Sequence, residues 1–160
     1  ADIRLSSQAL KLSCRLVEGP LDRVDLEPGS FDAIRFNHVL EHTQNPLLEL
    51  QRSRQLAAPG GVIFISVPNL AGISARLKSL QSRMHLKAHR WRHYAAIHHL
   101  WYFTPASLKL LAEKAGLQTL FWETPVLKRS DAKPIIESLY RFLLEKPHLA
   151  SILDFCCSCH

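Results

Sequence analysis

The chain's pattern predicts a layered α/β fold with parallel strands joined by right-handed crossovers. Three observations carry that prediction. The run Val62 to Val67, V-I-F-I-S-V, is almost unbroken β-branched and aromatic residue, as in a strand covered on both faces in a parallel sheet. Two segments open as helices, with Asn45-Pro46 and Thr104-Pro105 each pairing a capping side chain with proline at the first helical position. Gly- and Pro-rich punctuation separates these segments from their neighbours. With 160 residues, 47% apolar and 21% charged, the chain has room for one core of ordinary size, so one domain is the ceiling.

In chain order, Leu5 to Val17 begins as a short helical pattern on Ala9, Leu10 and Leu12. It runs into an apolar strand, Cys14 to Val17, stopped by Gly19-Pro20. Pro28-Gly29-Ser30 is turn chemistry, and a strand follows from Phe31 to Phe36, apolar inside except for Asp32 and Arg35. A helix is expected from Pro46 to Ala58, its stripe formed by Leu47, Leu48, Leu50 and Leu56, ended by Pro59-Gly60-Gly61. The strand Val62 to Val67 comes next, then a basic helix from about Ala71 to Leu86 and a loop rich in tryptophan and histidine. From Thr104 a helix buries Leu108, Leu111, Ala112 and Ala115 and stops at Gly116. A strand from Leu117 to Glu123 and an amphipathic helix from Lys133 to Leu144 follow, and the tail from Pro147 shows no pattern.

Charge is unevenly spread. The net value is +6, yet no acidic residue occurs from Leu50 to Ala112, a stretch holding nine Lys or Arg and five further histidines between His85 and His99. Residues 1–49 carry eight acids against five bases, and residues 113–160 six of each. Such a centre reads either as a solvated basic face or as a mouth for an anionic small molecule, with nucleic acid a less favoured alternative. No apolar run is long enough for a membrane-spanning helix, and no basic-then-apolar leader is present, so the expected location is cytoplasmic and no membrane partner is implied. Cys14 and the cluster Cys156, Cys157 and Cys159 are too lopsided for a disulfide framework. Residue 1 is alanine and the only methionine is Met84, which reads as a piece of a longer chain.

One segment is more specific than any periodicity: Gly29-Ser30-Phe31-Asp32-Ala33-Ile34, His38-Val39-Leu40-Glu41-His42, Asn45-Pro46, Pro59-Gly60-Gly61 and Val67-Pro68-Asn69. In that order and spacing it resembles the class I S-adenosylmethionine-dependent methyltransferases. The resemblance continues through Phe103 to Leu117, where FTPASLKLLAEKAGL is similar to the helix and turn before the sixth strand of that group, and covers about Val17 to Leu120. It implies a partial Rossmann-like methyltransferase fold, the C-terminal portion of the parallel sheet with flanking helices. Residues 1–125 would form that partial domain and 126–160 a helical extension. S-adenosylmethionine is the implied cofactor, with Asn37 and His38 bordering it at the carboxyl edge of the sheet. Asp2 is the counterpart of the acid that holds the ribose hydroxyls, two residues out of register. Pro20 stands where the family often has an aspartate directed at adenine, leaving the Leu21 backbone and Asp22 as substitutes. The family's glycine-rich loop has no counterpart, and no final strand is evident after residue 145, so this chain alone is expected to bind the cofactor weakly or not at all.

His38, Glu41 and His42 fall at i, i+3 and i+4, so a helical turn would place them on one face. H-x-x-E-H also matches a zinc-protease motif, but that motif sits within a long helix, whereas this one directly follows a strand. Some relatives, among them ubiquinone-pathway O-methyltransferases and small-RNA 2′-O-methyltransferases, carry an E-x-x-E-H version that binds a divalent ion; here His38 replaces the first acid. Three uses stay open: structural hydrogen bonds for Glu41 and His42 with His38 lining the cofactor pocket; a metal set of His38, Glu41, His42 and His99, better suited to Zn²⁺ or Mn²⁺ than to Mg²⁺; or His38 or His99 as the catalytic base toward a hydroxyl acceptor. No metal is the favoured expectation. Trp91, Trp101, Tyr102 and Phe103 flank the histidines as core, lid or acceptor-pocket residues. The terminal C-C-S-C-H lacks C-x-x-C spacing at a chain end expected to fray. The leading functional expectation is methyl transfer to oxygen of a small, anionic acceptor. Its rivals are a non-catalytic methyltransferase-like binding module and an RNA-directed methyltransferase.

Overall fold

The computed structural model describes residues 17, 19, 21, 23–73, 75–76, 99–125 and 150–159. Among the described residues, four strands and two helices carry the fold: β1 (Phe31–Asn37), α1 (Pro46–Leu56), β2 (Ala57–Pro68), α2 (Pro105–Lys114), β3 (Gln118–Glu123) and β4 (Ile152–Ser158), with a 3₁₀ turn at Leu40–His42. The strands form one sheet in the order β1-β2-β4-β3. β1 and β2 are adjacent and parallel, with Ile34 opposite Ile63 and Phe36 opposite Ile65. This is the arrangement that the signature segment requires.

Both helices begin where local chemistry says they must. The Asn45 side chain accepts from the Leu48 N–H at 3.2 Å, with Pro46 at the first helical position. At α2, Thr104 Oγ1 accepts from the Ser107 N–H at 3.2 Å while Ser107 Oγ accepts from the Thr104 N–H at 2.9 Å, a reciprocal capping box. α2 ends in a Schellman motif: Gly116 takes φ +77°, its N–H reaches the Glu113 carbonyl, and the Leu117 N–H reaches the Ala112 carbonyl, each at 3.0 Å.

Pro59-Gly60-Gly61 does something other than stop a helix. α1 ends at Leu56, and Ala57 is already extended at φ −69°, ψ 137°, so the three residues lie inside β2 at a register irregularity between Phe31 and Ala33. Gly60 supplies a positive φ of +78° there. At Gly61 a Cβ would sit 2.9 Å from the Ala58 carbonyl oxygen and 3.0 Å from that of Phe31. The glycine is required because the backbones approach too closely for any side chain.

β4 is the main departure from the sequence reading. Part of the segment 126–160 expected to be a helical extension is a central strand, antiparallel to both β2 and β3, and the final strand not evident after residue 145 is present. The cysteine cluster does not fray: Cys156, Cys157 and Cys159 are buried and unbridged. Leu153, Phe155 and Cys157 stand opposite Val67, Ile65 and Ile63, extending one apolar face across the sheet. That face packs on Leu50 of α1 and on Leu108 and Ala112 of α2, and with Phe36, Leu40 and Phe103 forms the core. The opposite face is not sealed to the same degree: Phe64 is 41% and Phe121 53% exposed, so β2 is buried on one face and not on both. In α1 the buried set is Pro46, Leu50, Ser53 and Leu56, with Leu48 exposed rather than part of the stripe.

The expected Cys14–Val17 strand, the 71–86 helix and the 133–144 helix lie wholly or mostly outside the described residues. Among the described residues, no helix is long and apolar enough to cross a membrane.

Candidate functional site

β1 delivers Asn37 and His38 to the carboxyl edge of the parallel pair, where an open α/β sheet places its ligands. His38 is the one non-glycine residue with positive φ among the described residues, at +52°. This conformation turns the chain sharply off the strand, and such backbone strain concentrates at functional sites. Its N–H remains tied to the sheet through the Ser66 carbonyl at 2.9 Å. The 3₁₀ turn then projects Glu41 inward and leaves His42 at the rim.

Glu41 is the centre of this edge. Its side chain is only 1% exposed, although a buried carboxylate demands compensation. Oε1 lies 3.3 Å from His38 Nδ1 and 3.9 Å from His42 Nε2, whereas Oε2 is buried and has no hydrogen-bond partner. The Glu41 carbonyl accepts from the N–H groups of Leu100 and Trp101 at 2.9 and 3.1 Å, and Trp101 Nε1 donates to the Thr43 carbonyl at 2.9 Å. These three bonds dock the 99–103 loop onto the turn. They bring the His99 ring to 4.8 Å from that of His42, edge-on, with Tyr102 6.2 Å beyond. The ligating atoms of Glu41, His42 and His99 all lie within 4.8 Å of one another.

Of the residues singled out from sequence, the structure therefore gathers His38, Glu41, His42 and His99 at one edge, with Asn37 at the end of β1 on the sheet's other face. Within the converging set His38 is the outer member, touching the carboxylate rather than joining the trio. Leu21 is half-buried in the segment before β1, whereas Asp2, Asp22 and Trp91 lie outside the described residues. Trp101 and Tyr102 are partly exposed beside the histidines, and Phe103 belongs to the core. The basic centre divides. Arg52 and Arg54, with Lys114, line a groove at the C-terminal end of α1, by the amino edge of the sheet, while Arg76 stays near the carboxyl edge through its N–H bond to Gly72. One pair escaped the sequence reading: Ser66 Oγ donates to Asp154 Oδ1 at 2.5 Å, joining β2 to β4 next to the carbonyl that holds His38. No sequence signal pointed to it, because Asp154 belongs to the tail that showed no pattern.

Residues 9–120 match the model of a methyltransferase-domain family. The chain belongs to that family. S-adenosylmethionine is the methyl donor that membership implies. Over a shorter span, 43 residues are 42% identical to a ubiquinone biosynthesis O-methyltransferase of Xanthomonas campestris pv. campestris, covering 27% of this chain and 18% of that protein. The fold is similar to that of a SAM-dependent methyltransferase from Thermotoga maritima, with TM-score 0.65 and 12% identity over 99% of this chain and 70% of the other. It is also similar to the 1,6-didemethyltoxoflavin-N1-methyltransferase of Burkholderia thailandensis, solved with 1,6-didemethyltoxoflavin and S-adenosylhomocysteine, with TM-score 0.60 and 16% identity over 99% of this chain and 57% of that one.

Proposed function

We propose that the protein is an S-adenosylmethionine-dependent methyltransferase that transfers to an oxygen of a small, anionic acceptor. Asn37 and His38 border the donor, and His38 and His99 are the candidate bases. The observation that carries the reading is the parallel adjacency of β1 and β2, with Asn37 and His38 at their shared carboxyl edge, in a chain of this family. The local match to a ubiquinone-pathway O-methyltransferase supports oxygen as the acceptor atom. The left-handed turn at His38 carries the chain off the end of β1, and the carboxyl edge of a parallel pair is where an open α/β sheet places its ligand. In this reading Leu21, with Asp2 and Asp22, serves the adenosine part of the donor, and β4 completes the sheet of the methyltransferase portion.

When bound, the donor supplies a methyl group on a sulfonium, whose transfer asks chiefly for alignment and a dry site. The protein's part is to hold the hydroxyl in line and to accept its proton. An imidazole nitrogen can accept that proton, and His38 and His99 place two imidazoles at the same edge. Isothermal titration of the complete gene product with S-adenosylmethionine tests the reading. Saturable binding that weakens about tenfold or more in Asn37→Ala or His38→Ala is the expected outcome, and absence of binding would sink it.

A further inference from the structure

At the amino edge of the sheet, opposite the edge that carries His38, the C-terminal ends of α1 and α2 border an open groove of about 740 Å³. Its lining holds three cations, Arg52, Arg54 and Lys114, two side-chain amides, Gln51 and Gln55, and no carboxylate. The positive charges come from two elements and are held close together. A Cβ on Gly116 would lie 3.3 Å from Cζ and Nη1 of Arg54, so the guanidinium rests on bare backbone two residues after Lys114. Among the described residues neither Arg54 nor Lys114 has an ion-pair partner, because the acid in the last turn of α2, Glu113, faces Lys109 at 3.9 Å. Arg52 Nη1 donates to the neutral Gln55 amide oxygen at 3.3 Å. One cation in the last turn of each helix offsets the dipole there, which accounts for Arg54 and Lys114 taken singly. It does not account for their convergence or for the third charge at Arg52, since like charges held close repel and no acid on the lining relieves them.

We infer that this groove binds the phosphate chain of a polyphosphorylated ligand, at a second site separate from the methyl-transfer edge. Two guanidiniums present planar forks that meet phosphate oxygens two at a time, and the Lys114 ammonium adds a point charge with donors that can turn. Gln51 and Gln55 bring neutral amide donors to the same lining. Leu48 is the one large apolar side chain there, so binding draws on charge rather than on apolar burial, which favours a phosphate chain over an acidic peptide. The wider sequence supports the same field, with no acidic residue from Leu50 to Ala112. A free polyphosphate and the backbone of an RNA share this chemistry. The inference needs neither the methyl donor nor His38, so it and the methyl-transfer reading can fail separately.

The test uses the full chain at low ionic strength, titrated with sodium tripolyphosphate by calorimetry and with a labelled oligouridine RNA by fluorescence anisotropy. Saturable one-to-one binding is expected, weakened about tenfold in Arg54→Gln and in Lys114→Gln and less in Lys114→Arg. Each cation removed should also flatten the dependence of RNA affinity on salt by about one unit of log–log slope. Arg35→Gln, which takes an exposed charge from β1 outside the groove, should leave binding unchanged. Far-UV circular dichroism checks folding, and Arg52→Gln keeps the comparison available if either of the other substitutions unfolds the chain. Oligouridine that binds through Arg54 and Lys114 and is displaced by tripolyphosphate would assign the phosphates to a nucleic-acid backbone; tripolyphosphate binding without RNA binding would assign them to a small ligand. Either result supports the groove. No saturable binding of either phosphate probe, an equal loss in Arg35→Gln, or an oligoglutamate peptide binding as tightly as tripolyphosphate would each overturn the inference. S-adenosylmethionine titrated into Arg54→Gln should bind as it does to the parent, which keeps the two sites' outcomes apart.

Discussion

A single Cβ distinguishes what glycine does at two adjacent positions. Gly60 has open space around it but a φ of +78°, so its requirement is conformational; a side chain there meets nothing and is strained only by the backbone. Gly61 has the opposite problem: an added Cβ would press on two carbonyl oxygens and an amide nitrogen, at 2.9, 3.0 and 3.2 Å, all of them backbone and unable to swing aside. Gly61→Ala must therefore push β1 away from the start of β2, and we expect a loss of about 1–3 kcal/mol, as for overpacked sites. Urea unfolding followed by far-UV circular dichroism reads that loss, and a midpoint equal to the parent's would contradict the close approach. The sequence reading makes Pro59-Gly60-Gly61 the end of a helix, whereas the three residues lie inside β2. Positive φ alone does not say whether the residue before it is the last of a helix or already in a strand.

At the scale of elements, legibility follows the range of the forces involved. Asn45-Pro46 and Thr104-Pro105-Ala106-Ser107 place helix starts correctly because every partner lies within three residues. Gly116 ends α2 through bonds no more than five residues long. β4 has no such local signature. Its partners on β2 lie 84 to 96 residues earlier, and Ile152–Ser158 carries neither clean alternation nor a turn that would pair it with a neighbour. The candidate site divides likewise: the i, i+3, i+4 spacing sets His38, Glu41 and His42 within one turn, whereas His99, which the sequence reading names with them from the loop rich in tryptophan and histidine, is held close by the backbone bonds of Leu100 and Trp101 to Glu41, which no local pattern encodes. Burial in β4 has a consequence for pH. The Cys157 thiol is pushed up to about 12, first by burial and then by Cys156 and Cys159. Unfolding returns it to its ordinary 9.0, so the stability it secures is complete below about pH 9 and drains away as pH rises toward 12, because the unfolded thiol releases its proton first. Chemical unfolding at several pH values should show Cys157→Ala weaker than the parent at neutral pH yet with a shallower decline above about pH 9; parallel curves would place the thiol in water.

For the whole molecule, the decisive fact is that the last strand in the chain is an inner strand of the sheet. Among the described residues, the sheet joins β2 to β3 through β4, since the order is β1-β2-β4-β3. Without it the sheet separates into a parallel pair and a lone strand, each exposing unpaired backbone, and neither is a stable unit in water. The core loses Leu153, Phe155 and Cys157 together, and Ile63, Ile65 and Val67 lose the neighbours that cover their flank. Removing a buried Leu or Phe side chain costs about 2–5 kcal/mol, so two such losses rival the whole stability of a domain, typically about 5–15 kcal/mol. The Ser66–Asp154 bond beside the His38 anchor goes as well. A chain ending at residue 149 is thus expected to lose cooperative unfolding and to associate through its open edges. Size-exclusion chromatography and thermal unfolding, compared with the full chain, measure both. A soluble truncated chain with a sharp transition would show that β1, β2 and their helices stand without the final strand, and the candidate site would then owe its geometry to the parallel pair and the docked 99–103 loop alone.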